Sequence, residues 1–186
     1  MAHELETARL RLRRPVPADL DGYVEAWGDP EVTRYLPGGR PRTREQVAAG
    51  LERLIEHWDR HGFGFWSLLF NGTGAWLGYC GLQYLPEGDE VELAYGLARP
   101  HWGKGLTTEA ARAAVRYGFE QLKLDRIVAL AVHEHVASRW VMDHAGMRYG
   151  KDTHAFGLDA AYHAIDRADW QPRDDGYVLW DGPPRA

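Results

Sequence analysis

Arg99-Pro100-His101-Trp102-Gly103-Lys104-Gly105-Leu106-Thr107-Thr108-Glu109-Ala110 is the stretch on which the fold turns. Gly103 and Gly105 can take positive φ and admit an anion close to the backbone. The helical pattern that follows aims its free N–H groups and the positive end of its dipole back into this loop. Thr107 and Thr108 add hydroxyl donors in the first turn, and Lys104 adds a charge. Such an arrangement holds a pyrophosphate. It also fits a plain strand-to-helix turn with a threonine cap, and the glycines alone leave both readings open. The string is not G-x-x-x-x-G-K-[ST], because Gly105 follows Lys104, and it lacks the third glycine of G-x-G-x-x-G.

Outward from this loop, apolar runs and turn residues mark the elements. Upstream lie three strand patterns, residues 65–70, 76–82 and 91–97. Short turns at Asn71-Gly72 and residues 86–89 join them into a meander. Downstream, a helix over about 107–122 leads to an apolar strand over 126–132, so strand, loop, helix and strand form a parallel crossover. A short helix ending at Gly146 and a strand over about 162–166 follow. Nearer the N-terminus, Leu10 and Leu12 alternate with Arg11 and Arg13, predicting a strand over 8–14. A helix opens at Ala18-Asp19, carries Leu20, Tyr23, Val24 and Trp27, and ends at Gly28-Asp29-Pro30. Residues 37–43 form a loop. Thr43 and Gln46 make a capping box for a helix bearing Val47, Leu51, Leu54, Ile55 and Trp58. The pattern predicts an α/β (α+β) fold: a mixed central sheet, a parallel pair near its middle, and helices around it.

Composition sets the function classes. The chain has 186 residues, 45% hydrophobic and 26% charged, which suits one domain over 1–186 with a core of about 8–170 and a tail of 171–186. A formal net charge of -5 argues against a nucleic-acid partner and suits a cationic or amine partner, though it also suits an ordinary solvated surface. Cys80 is alone and reads as a small core residue. No stretch resembles a signal peptide or a membrane span, so no membrane partner and a cytoplasmic location are expected. His133-Glu134-His135 lacks metal-site spacing, and no metal is expected.

Several strings in order resemble the Gcn5-related N-acetyltransferase (GNAT) superfamily, in particular its RimJ/RimL branch of ribosomal-protein N-terminal acetyltransferases. Residues 102–110 look like the pyrophosphate loop. Residues 5–13, 29–36, 77–82 and 91–97 are similar to the branch's opening strand, first helix end and two meander strands, and residues 137–147 to its second signature helix. The resemblance covers about residues 5–150. It implies acetyl-CoA as cofactor, bound between two splayed parallel strands. The pantetheine arm pairs with the edge of Tyr95, Gly96 and Leu97, and the pyrophosphate rests on the amides of Trp102, Gly103, Lys104, Gly105, Leu106, Thr107 and Thr108. An unpaired strand edge offers what an amide-bearing arm needs. Trp102 stands where relatives often have Gln or Arg, and is expected to pack. The family's second signature is Asn-x-x-Ser. Here Ser138 matches, and His135 replaces the Asn that commonly contacts the cofactor side.

Acetyl transfer to nitrogen requires a neutral amine, a hydrogen bond to the carbonyl oxygen, a proton for the departing thiolate and a fixed approach. A main-chain N–H near Leu97 or Tyr95 is the natural oxyanion donor. Ser138 is the candidate general acid, against the reading of a helix cap. Glu92 is the candidate base, against the reading of a solvated strand residue, with Asp159 second. Glu109 sits where a carboxylate complements the helix dipole. Trp27, Tyr35 and Trp58 belong to the helical region that forms the family's acceptor side, or simply pack. The acceptor implied is a primary amine: a protein N-terminal α-amine, a polyamine or an aminated antibiotic. The alternative class is an acyl-CoA-binding module without turnover. A homodimer is expected on general grounds.

Overall fold

In a computed structural model, described for residues 4–86, 88–172 and 177–180, the chain builds one nine-stranded sheet. Its strands are β1 (Glu4–Glu6), β2 (Leu10–Arg13), β3 (Phe65–Phe70), β4 (Trp76–Tyr84), β5 (Val91–Leu97), β6 (Arg126–Ala131), β7 (Arg148–Ala155), β8 (Leu158–Asp166) and β9 (Val178–Trp180). They lie in the order β7-β8-β6-β5-β4-β3-β2-β1-β9. Every neighbouring pair is antiparallel except β5–β6. The meander and the parallel crossover stand as expected.

Helices cover both faces. On one lie α1 (Leu20–Trp27), the one-turn α2 (Pro30–Thr33) and α3 (Arg44–His61). They bury Tyr23, Trp27, Val47 and Leu51 against Phe65, Tyr79 and Ala98. On the other lie α4 (Leu106–Glu120) and α5 (Val136–His144). The buried side of α4 carries Ala110, Ala111, Ala113 and Ala114, so the helix settles close to the sheet around Leu93 and Ile127. The Thr43–Gln46 capping box forms, with the Gln46 side chain accepting from Thr43 N–H at 2.9 Å. Asp29 caps α2 by accepting from the amide of Glu31 at 2.8 Å. Beneath α1, Asp19 receives Arg13 at 2.5 Å and the Ser67 hydroxyl at 2.7 Å, tying the helix entrance to β2 and β3.

Four features correct the sequence expectation. The strand expected over 8–14 is the shorter β2, and a further strand, β1, precedes it, because the chain reverses where Thr7 N–H donates to Leu10 O at 2.8 Å and Leu5 comes opposite Leu12. The helix begins as a 3-10 turn at Pro17–Asp19, with the α-helix proper starting at Leu20. A whole strand, β7, lies where no pattern announced one; its side chains are mostly exposed, so no alternation marks it. The final strand starts at Leu158 because β7 and β8 form a hairpin, closed by Phe156 (φ 55°) and Gly157 (φ 76°), both left-handed as a type I′ turn requires. Of the expected tail, residues 178–180 pair with β1, while residues 173–176 and 181–186, like Glu87 of the expected 86–89 turn, lie outside the described residues. No helix among the described residues is long and apolar enough to cross a membrane.

Candidate active site

The parallel pair is bonded at one register point, Glu92 opposite Val128. Beyond it β6 continues along β8 and β5 continues along β4, so the two strands diverge. The pairing of β5 with β4 shows which main-chain groups face the gap. Ala98 N–H donates to Leu77 O at 2.9 Å while Gly78 sits opposite Leu97. That makes Leu97 and, two residues back, Tyr95 non-hydrogen-bonded to β4, so their amides turn toward the gap. Gly96 turns its own toward Tyr79. A Cβ at Gly96 would lie 2.8 Å from the Tyr79 ring, so the glycine makes room for a buried phenol.

Side chains alternate along β5. Ala94 packs on the α1/α3 side, and Leu93, Tyr95 and Leu97 on the α4/α5 side. Glu92 shares the side of Ala94. A cavity of about 700 Å³ reaches both sets through the gap, touching Glu92 and Tyr95 as well as His135 and Ser138. Glu92 is 6% exposed. Its carboxylate accepts from Gln83 Nε2 at 3.2 Å, and burial pushes its pKa up to about 7. Tyr95 donates to the carbonyl of Ser138 at 2.9 Å, and the two hydroxyls stand 3.1 Å apart. With the phenol's proton directed at the carbonyl, the serine hydroxyl is the donor in the second bond. Burial raises the Tyr95 phenol far above its usual range, so it stays protonated.

Ser138 is therefore not a cap. His135 occupies the N-cap of α5 and makes no side-chain capping bond. Its ring stacks on Tyr35 at 4.4 Å, and burial lowers its pKa, so it is neutral at pH 7.

The loop expected to hold the pyrophosphate lies outside this cavity, at the start of α4. Gly103 (φ 71°) and Gly105 (φ 72°) are left-handed, as the sequence anticipated. Among the described residues, no acceptor meets the amides of Gly103 through Thr108, and the buried Thr108 hydroxyl has no partner. Six free amides and an orphaned hydroxyl around a helix start fit a diphosphate. Lys104 Nζ donates to Pro100 O at 2.9 Å, inside its own loop. Trp102 does not pack: it is 45% exposed and donates its indole N–H to Leu97 O at 2.8 Å. Glu109 does more than complement the dipole. It accepts from Thr7 Oγ1, Arg9 N and Arg9 Nε at 2.6, 2.8 and 2.6 Å, while Arg9 also holds Lys104 O at 2.8 Å. The turn between β1 and β2 thus braces the loop.

Asp159 is not brought in; it is exposed and pairs with His154 at 2.8 Å. His133 pairs with Asp152 at 2.9 Å. Trp58 is buried beneath Trp66, whereas Trp27 and Tyr35 line the cavity. Sequence reasoning missed Arg42, Gln83 and Phe156, which also line it. Phe156 had one faint signal, its position before Gly157 in a hairpin turn.

The sequence pattern of the acetyltransferase (GNAT) domain matches residues 9–148. An uncharacterized N-acetyltransferase of Bacillus licheniformis, p20, is 35% identical over 136 residues, 72% of this chain and 76% of that protein. The FsC-acetyl coenzyme A-N(2)-transacetylase of Aspergillus fumigatus is 27% identical over 188 residues, covering 89% and 77%. A GNAT-family acetyltransferase structure from Bacillus anthracis superposes with TM-score 0.78 at 23% identity, covering 89% of this chain and 99% of that one. Splayed strands, anion loop and sequence likeness agree: the chain belongs to the GNAT family of acetyl-CoA-dependent acetyltransferases.

Proposed function

We propose that this enzyme acetylates a primary amine by direct attack, with Glu92 as general base and the Ser138–Tyr95 hydroxyl pair as the proton source for the leaving sulfur. The observation that carries the reading is the single cavity that joins a buried carboxyl near neutrality on one side of the sheet to two hydroxyls on the other. Bound acetyl-CoA supplies the acetyl group as a thioester. Leu97 N–H, turned toward the gap, donates to the carbonyl oxygen as charge develops there. Glu92, ionised, takes the amine's proton directly or through water. Ser138 turns its hydroxyl from Tyr95 to the sulfur and passes its proton there as the C–S bond breaks; water then returns a proton to the serine oxygen, while Tyr95, its own proton on the Ser138 carbonyl, holds the serine in place. Amides of Gly103 through Thr108 hold the diphosphate, the Trp102 amide being taken by Arg99 O at 3.2 Å, with His135 beside the acyl end.

For the acceptor, the likeness of residues 5–13 and 29–36 to the RimJ/RimL branch supports a protein N-terminal α-amine. A small-molecule amine is the second reading. It is favoured by a cavity of a size that encloses a drug-sized ligand and by a relative whose name specifies an N(2) nitrogen. The test is thiol release from acetyl-CoA against a panel of amines and peptides, with mass-spectrometric identification of acetylated product. Tight cofactor binding without amine-stimulated release is the result that favours a binding module without turnover.

A further inference from the structure

The charges that reach the cavity run against the charge of the chain. The protein carries a formal -5, yet the cavity's charged side chains are Arg42, Arg53 and Glu92. The two histidines there do not add charge, since burial holds His57 at about 4 and lowers His135. Around the cavity, Arg13 pairs with Asp19, Arg14 with Asp59, Arg44 with Asp21 and Arg99 with Asp29, while Arg34, Arg40 and Arg60, outside it, pair with no carboxylate among the described residues. Arg42 and Arg53 have none among the described residues. Arg42 is nonetheless held in place. Its guanidinium carbon lies 4.6 Å from the centroid of the Trp27 ring, and its N–H groups make no hydrogen bond among the described residues. Arg53 extends from α3 at the i+3 position from Gly50, on the helix face that lines the cavity with Leu54 and His57. A guanidinium whose edge donors face a cavity recognises a carboxylate or a phosphate.

We infer that the acceptor is an amine that also carries an anionic group, a carboxylate being the simplest, with the amine at Glu92 and the anion at Arg42 and Arg53. The inference rests on the transferase reading above and names its substrate class. A polyamine, which the acidic composition suits, meets two uncompensated guanidinium groups instead. Two sources share the required chemistry: a free amino acid, and a peptide whose first residue is acidic.

The test uses acceptor pairs that differ only in that charge. 4-Aminobutyrate is compared with 4-aminobutanamide, and a peptide beginning with Asp with the same peptide beginning with Asn; spermidine is the cationic control. The free acid is expected to exceed its amide in kcat/KM by about tenfold or more, the effect of one charge-assisted hydrogen bond. Whichever pair shows the larger ratio identifies the source. Arg42→Gln and Arg53→Gln should bring the ratio toward one, and Arg42→Lys and Arg53→Lys should restore part of it. Butyrate, which lacks the amine and keeps the carboxylate, should compete with the acceptor in the wild-type enzyme, and 1-butanamine should compete less well, a readout independent of how the variants fold. Acids no better than their amides, or spermidine preferred, overturns the inference and leaves the transferase reading intact. Absence of thiol release with every amine overturns both.

Discussion

Replacing Glu92 by Gln should make the protein more stable and less active, with both changes controlled by pH. Burial moves the Glu92 carboxyl from 4.5 to about 7. A displacement of that size is about 3 kcal/mol of preference for the protonated form. The folded pKa is the higher one, so the folded state binds the extra proton. Folding is therefore unpenalised below about pH 4.5, and stability is lost as pH rises through 7. Gln keeps the shape and cannot ionise. Urea titrations of the two proteins should coincide below about pH 4, separate by about 1.4 kcal/mol per pH unit between about 5 and 6.5, and level off above about 7.5 with the variant about 3 kcal/mol ahead. Activity should move the other way. Loss of a general base costs about 10²- to 10⁴-fold. Between pH 6 and 8 the ionised fraction of a group titrating near 7 goes from about a tenth to about nine-tenths. The ratio of wild-type to variant kcat/KM should therefore rise roughly ninefold over that interval, and the acceptor's own ionisation cancels in the ratio. A stability difference flat in pH would mean that Glu92 is ionised in the folded protein at all these values, and the argument for a buried base would fail with it.

The other expectations test separate parts. Ser138→Ala should lower kcat while leaving the Kd for acetyl-CoA within about twofold, read by stopped-flow and calorimetry; an unchanged kcat removes the hydroxyl from the reaction. Gly105→Val should raise the coenzyme A Kd by tenfold or more, since φ 72° costs a β-branched residue about 1–2 kcal/mol and its side chain crowds the anion's approach; normal affinity would exclude this turn as the phosphate site. Asp19→Ala leaves Arg13 and the Ser67 hydroxyl without their acceptor beneath α1, and should cost about 3 kcal/mol in denaturant unfolding; a loss below about 1 kcal/mol would make the network a solvated one.

Legibility followed physics. The meander was plain because β3, β4 and β5 are buried and rich in apolar residues between glycine-bearing turns. The backbone of the loop before α4 was legible at Gly103 and Gly105 because only glycine takes these dihedrals cheaply, while its reading as an anion site came from the family resemblance. β7 was not, because an edge strand held by one neighbour needs no apolar face, and Arg148–Ala155 has none. At the site, Ser138 was named from the family resemblance and Glu92 from its place on the strand before the loop, and the sequence could not say that a phenol 43 positions away pairs with the serine. A second reason for Gly96, the Tyr79 ring on the neighbouring strand, was not visible in the sequence. Arg42 and Arg53 were invisible: an arginine without a partner looks, in sequence, the same as one with a partner.

The brace behind the anion loop carries the last prediction. Glu109 gathers three donors from the turn between β1 and β2, and Arg9 spans from that carboxylate to the carbonyl of Lys104. Lys104 stands between the two left-handed glycines, so its carbonyl orientation fixes which way the neighbouring amides point. With Arg9 at 44% exposure, the ion pair itself contributes at most about 1 kcal/mol to stability. Its larger effect is on the loop's conformation before the cofactor arrives. Arg9→Ala should thus lower the melting temperature only a few degrees yet weaken coenzyme A several-fold, and Arg9→Lys, which keeps the charge but not the two-ended reach, should rescue little. Glu109→Gln should behave like Arg9→Ala, and the double variant should be no worse than either single one. Additive losses in the double variant would show that the two residues act separately, and the N-terminal turn would then be a neighbour of the loop and not its support.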